Sequence, residues 1–106
     1  MTISGPIDWQ TMLGKSAPEL IKQVSGLQKT VSVEGALSAK TKTLMILLCN
    51  AVQGHSEGVA IVAGRARSLG ASEAEIAETV AIAFLIGGFP GTVNGAFAFR
   101  ESAREI

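Results

Sequence analysis

Apolar residues recur at helical spacing along almost the whole chain. Leu20, Ile21, Val24, Leu27 and Val31 fall three and four apart, which is one face of a helix. Ser16-Ala17-Pro18-Glu19 reads as its capping box, with Pro18 in the first turn. Val33-Glu34-Gly35 interrupts the pattern, and Ser38 is placed to cap a second helix. That helix carries Leu44, Met45, Leu47, Leu48, Ala51 and Val52 and is apolar on most sides, so it is expected to be central.

A further helix begins near Ser56 and presents Val59, Val62, Ala63, Ala66 and Leu69, with Gly70 placed to stop it. Ser56 is a natural cap there, and Glu57 suits the positive end of the helix dipole. Ser72 and Glu75 form another capping box, followed by a stripe of Ile76, Val80, Ala83, Phe84 and Gly87. Gly88-Phe89-Pro90-Gly91 must bend the chain, and a last helix is expected from about Thr92 toward Glu101. Only Thr30 to Val33 has a competing strand-like character. Ala60, Ala63, Gly64 and Ala66 are small enough to let helices approach closely. The expectation is an all-α fold, a small helical bundle in one domain spanning 1–106. Its N-terminal helices cover about 7–33 and its core about 37–101. Trp9, Phe84, Phe89, Phe97 and Phe99 are expected in the core or at an interface.

Composition adds a second expectation. In 106 residues, 47% are hydrophobic and 17% charged. A domain of this size buries only a modest part of its surface, so the apolar surplus points to burial between subunits of a homo-oligomer. Nine basic and nine acidic residues balance, which leaves no basic stripe for nucleic acid. The apolar runs TLMILLCNAV and TVAIAFLIGGFPG fall short of the ~20 residues of a membrane span. MTISGPIDWQ lacks the basic and apolar regions of a secretory signal. One cysteine cannot make an intrachain disulfide, so a cytoplasmic protein is the default expectation.

The runs LSAKTKTLMILLCNAV and GRARSLGASEAEIAETVAIAFLIGGFPGTVNGA then resemble the carboxymuconolactone decarboxylase family, which includes alkylhydroperoxidase-D-like proteins. The likeness extends from about Leu37 to Ala98. It implies an all-helical scaffold assembling as homotrimers or homohexamers, with active sites near subunit contacts. The redox branch of that family carries C-x-x-C-x-x-x-H at the start of the helix ending in Leu-Gly. A helix N-terminus favours a thiolate there, the histidine shuttles its proton, and a glutamate on the preceding helix completes the relay. Counted back from Leu69-Gly70, the resemblance puts the first cysteine at His55, the second at Gly58, the histidine at Val62 and the glutamate at Thr43. Every thiol and proton carrier of that branch is replaced, and Cys49 lies on the preceding helix. The decarboxylase branch, with its His-Glu pair and later histidine, corresponds to Glu57, Gly58 and Val62. A C-x-x-C-dependent peroxidase or disulfide reductase is therefore not expected.

Several candidates follow. His55 can act as a general base or simply occupy the loop before a helix. Glu57 and Thr43 can assist it, or serve as ordinary first-turn and helix-face residues. Gly58, Val62 and Cys49 are candidate pocket-lining residues; Cys49 reads chiefly as a small buried hydrophobe, with a residual redox role as the weaker alternative. His55 and Glu57 fall short of the three or four ligands of a zinc site, so no metal and no cofactor are expected. The expected partner is a second copy, with a small-molecule ligand possible and neither nucleic acid nor membrane.

Overall fold

In the computed structural model, which describes residues 9–101, five α-helices and a short 3₁₀ helix follow in sequence. The chain divides into two compact units between Val33 and Glu34.

The first unit holds α1 (Trp9–Ser16) and α2 (Pro18–Ser32). The residue before a proline is driven out of helical backbone, so α1 has to end at Ala17. Ala17 sits at φ −145°, ψ 67°, yet its amide still reaches the Leu13 carbonyl at 2.7 Å. Ser16 is consequently the last residue of α1 and caps nothing; the capping box expected from Ser16 to Glu19 does not form, although Pro18 does open α2. The helix continues to Ser32, and Thr30 donates its hydroxyl to the Gly26 carbonyl at 3.0 Å, which replaces the strand-like alternative for Thr30 to Val33.

The second unit is built on α3 (Ala39–Gln53), α4 (Ser56–Ser68) and α5 (Glu73–Gly95). The Ser38 hydroxyl accepts from the Thr41 amide at 3.0 Å, as its position implied. Both bonds of the Ser72/Glu75 capping box are present. Gly54 (φ 83°) and Gly70 (φ 95°) end α3 and α4 in left-handed backbone. At each end the following residue donates to a carbonyl five back, His55 to Asn50 at 2.9 Å and Ala71 to Ala66 at 2.9 Å, which is the Schellman arrangement.

The helix α5 is not straight. Gly88 takes φ 62°, ψ −150°, and the chain folds back there. A β-carbon placed on Gly91 would lie 2.6 Å from the carbonyl oxygen of Ala83, and one on Gly95 2.6 Å from Val80 Cγ1. In a straight helix a separation of eight residues is about 12 Å of rise, so the two arms must run antiparallel around Gly88. Taken as one element, Glu73–Phe99 has the length (27 residues) and mean hydropathy (1.6) of a membrane-crossing helix. The fold at Gly88 leaves a first arm of only ~22 Å by helical rise, against the ~30 Å of a bilayer core.

Beside α3, the first arm of α5 runs parallel. Lys40 pairs with Glu75 at 3.0 Å, and Gly87 lies against Val52 twelve residues further along both helices. The core between α3, α4 and α5 is made of Leu47, Ala51, Val59, Ala63, Ala66, Ile76 and Ala83, all fully buried. Its many alanines are the small residues that close helix packing requires. After Gly95 the chain tightens into a 3₁₀ helix, Ala96–Phe99, where an α-helix toward Glu101 was expected. Ala98 enters the core there, and Arg100 returns to extended backbone (φ −63°, ψ 146°). Many large apolar side chains remain exposed in the single chain, among them Phe84, Leu85, Ile86 and Phe89.

Candidate functional site

The start of α4 gathers most of the candidate residues. The glycine end of α3 turns the chain so that His55 becomes the residue preceding α4. Its amide donates to Asn50 and its carbonyl accepts from Val59 at 2.9 Å, so the backbone at His55 is held on both sides. The side chain is exposed and caps no amide of α4. Ser56 is the first helical residue, one place past the capping position expected of it.

Glu57, in the first turn, faces Arg100 from the far end of the chain. The guanidinium donates twice, Nη1 to Oε1 at 2.6 Å and Nη2 to Oε2 at 3.2 Å. These hydrogen bonds, and then the positive charge behind them, hold the Glu57 carboxyl below its usual range; the same bonds push Arg100 up. Arg100 also lies over the Phe97 ring, 5.9 Å from its centroid. On the other flank of the 3₁₀ helix Arg67 lies 5.9 Å from the Phe99 centroid and pairs with Glu73 at 2.6 Å.

Gly58 is half-buried, and the place where a side chain would begin is already taken. Asn50 Oδ1 overlaps the position of a β-carbon there, with Asn50 Cγ 3.0 Å away and His55 Cβ 3.5 Å away. Asn50 is itself fastened by its amide, which donates to the Ile46 carbonyl at 3.0 Å. Asn94 stands close by, its amide 3.7 Å from a β-carbon built on Gly54.

The remaining candidates lie elsewhere. Val62 is 6% exposed and belongs to the core. Thr43 is also 6% exposed, and its hydroxyl donates to the Ala39 carbonyl at 2.8 Å. Ten residues of α3, about 15 Å of helical rise, separate Thr43 from the end of that helix beside His55. Within one chain the two are not brought together. Cys49 is exposed, in place of the buried small hydrophobe that its apolar surroundings in sequence suggested. It lines a depression of about 160 Å³ with Leu48, Val52, Gln53 and Ile86, between α3 and α5. A second depression, of about 350 Å³, borders Trp9, Met12, Leu13 and Ser16 in the first unit. Among the described residues no three His, Cys, Asp or Glu side chains are grouped to hold a metal.

Arg100 and Asn50 had not been singled out from sequence. The pairing of Arg100 with Glu57 spans 43 residues and leaves no periodic trace. Asn50 did leave one, as the lone polar side chain in the run LMILLCNAV.

Chemically, this end of α4 offers one exposed imidazole, one carboxylate engaged by a guanidinium, and no thiol. Comparison with curated proteins returns no match. Among solved structures the chain is similar to a carboxymuconolactone decarboxylase family protein from Legionella pneumophila in its apo form. The two are 27% identical with a TM-score of 0.80, over 90% of this chain and 84% of that one. The sequence profile of the carboxymuconolactone decarboxylase family matches residues 18–101. With the profile covering most of its length, this chain belongs to the carboxymuconolactone decarboxylase family.

Proposed function

We propose that this chain is a family member without the C-x-x-C redox centre, acting as a homo-oligomeric small-molecule-binding or structural protein of the cytoplasm and not as a thiol peroxidase. The observation that carries the reading is the filling of the Gly58 position by Asn50. Where the resemblance puts the second thiol there is no sulfur, and the Asn50 side chain fills the place of a β-carbon; Val62, at the place of the shuttling histidine, is sealed in the core. Cys49, the only thiol in the chain, stands on α3 with no second cysteine to resolve an oxidised state.

The test is peroxide consumption in the presence of a dithiol reductant, scored against Cys49→Ser. The expected result is no turnover above buffer. Multiple turnovers that vanish in Cys49→Ser would establish a one-cysteine redox function and overturn the proposal.

A second reading is favoured by one observation, the exposed His55 ring at a helix start with no capping bond to occupy it. It makes the protein a cofactor-free acid–base enzyme on a small carbonyl or lactone compound, with His55 as base. The check is a screen of such compounds by the ring-proton resonances of the single histidine, followed by turnover assays. Turnover that is lost in His55→Ala would select this reading over simple binding.

A further inference from the structure

We infer that the helices α1 and α2 dock this chain on an anionic lipid surface, lying among the headgroups and not crossing the bilayer. Crossing takes about 20 apolar residues in one helix; lying on the surface takes only an apolar face opposite a cationic one. In α2, Leu20 and Leu27 are seven residues apart and share a face, standing out at 48% and 64% exposed, while Ile21 and Val24 beside them are half-buried. Lys22 and Lys29 repeat the same step two positions later. Two positions are about 200° of helical turn, so the lysines occupy the face opposite Leu20 and Leu27. In α1, Trp9, Met12, Leu13 and Ser16 share one face and line an open depression of about 350 Å³. Trp9 and Met12 are exposed there. An indole ring is apolar in body and polar at its N–H, and it settles at a membrane–water boundary.

Charge selects the occupant. Residues 9–33 carry Lys15, Lys22 and Lys29 against one acid, Glu19. None of the three lysines is ion-paired among the described residues. From 34 to 101 the balance reverses, with five basic and six acidic side chains. The positive excess therefore sits in the unit that carries these apolar faces. A partner protein or a neutral ligand seated on Leu20 and Leu27 would leave Lys22 and Lys29 a helix diameter away, without a counter-charge. A bilayer takes such a helix in by about 5–10 Å, which brings its polar face level with the headgroups. Anionic headgroups then lie within a Debye length of the lysines.

Trp9 is the only tryptophan in the chain, so its emission reports on α1 alone. The experiment titrates the full chain with phosphatidylglycerol vesicles and, separately, with phosphatidylcholine vesicles, reading Trp9 emission and co-sedimentation. The expected result is a blue shift and co-sedimentation with phosphatidylglycerol, weakening as salt is raised. Removing both charges in Lys22→Gln/Lys29→Gln should lower the affinity about 25-fold, at about fivefold per lysine. Leu27→Glu should abolish binding with an unchanged helical circular dichroism spectrum, since Leu27 is exposed. Lys22 and Lys29 are exposed as well, so the double lysine variant decides the matter even if Leu27→Glu fails to fold. No blue shift with phosphatidylglycerol, or equal affinity in the double lysine variant, overturns the inference. Equally tight binding to phosphatidylcholine overturns it too, because that would need no charge. A Trp9 emission that is already blue without lipid, and moves to the red on dilution as the protein dissociates, would assign the face to another copy and overturn it as well. The proposed function stands under each of these outcomes.

Discussion

Gly91→Ala tests the fold-back of α5 directly. The new methyl group would stand 2.6 Å from the backbone oxygen of Ala83 and 3.2 Å from its carbonyl carbon. Ala83 is fully buried and its backbone has no rotamer to change, so the two arms must separate. Overpacking of this kind costs about 1–3 kcal/mol, and rigid backbone places this case at the upper end. Alanine's better helix propensity returns at most about 1 kcal/mol. The expected net loss is about 2 kcal/mol, or about 10 °C in Tm for a domain of this size. Gly87→Ala is the matched control, since its methyl would meet Val52 at an ordinary 3.5 Å. Urea unfolding at fixed protein concentration, followed by circular dichroism, should show a lower midpoint for Gly91→Ala with an unchanged slope, and a control close to wild type. Equal midpoints for the two variants would refute the antiparallel arms.

Two other outcomes follow from the start of α4 and its neighbours. Gly58→Ala should lower stability by about 1 kcal/mol, the net of overpacking against Asn50 and improved helix propensity; Asn50→Ala in the same chain should restore it, and a double-mutant cycle with no coupling between the two would reject the overlap. Glu57 and Glu75 both have folded-state carboxyls below the ordinary value of 4.5, Glu57 through Arg100 and Glu75 first through the Ser72 amide and then through Lys40. A depressed folded pKa adds stability that is present above the unfolded value and lost as pH falls below it. Urea midpoints should therefore decline below pH ~4.5, less steeply in Glu57→Gln, and an identical acid limb in that variant would remove the contribution assigned to Arg100.

The elements that could be read in the sequence are those whose causes are local. Ser38 and the Ser72/Glu75 box cap their helices because each needs only three residues in order. Gly70 ends α4 because no other residue type takes φ 95° so cheaply. The Ser16 box failed for an equally local reason, the restriction that Pro18 puts on Ala17, which outweighs a cap. The Gly88-Phe89-Pro90-Gly91 bend was legible as a bend. That it reverses the helix was not, because this depends on Gly91 and Gly95 admitting Ala83 and Val80 at close range. At the candidate site, the helix start beside His55, Glu57 and Gly58 was legible from the apolar spacing that follows it. Their neighbours were not, since Arg100 comes from 43 residues away and Asn50 acts through space rather than spacing.

The residues at the start of α4 constrain one another, and together they limit what chemistry they can do. Asn50 can occupy the space beside position 58 only because Gly58 has no side chain. Glu57 is tied to Arg100, a pairing that fastens the end of the 3₁₀ helix to α4. Thr43 spends its hydroxyl on its own helix. What remains is a single imidazole, with no hydrogen-bond partner for its ring among the described residues. A base of that kind has to return the proton to solvent or to the ligand itself. Chemistry at His55 would then suit a substrate that both gives up and recovers one proton, as a lactone or an enolisable carbonyl compound does. On the proposed reading a peroxide, which must receive two electrons, would find no thiol donor at this end of α4.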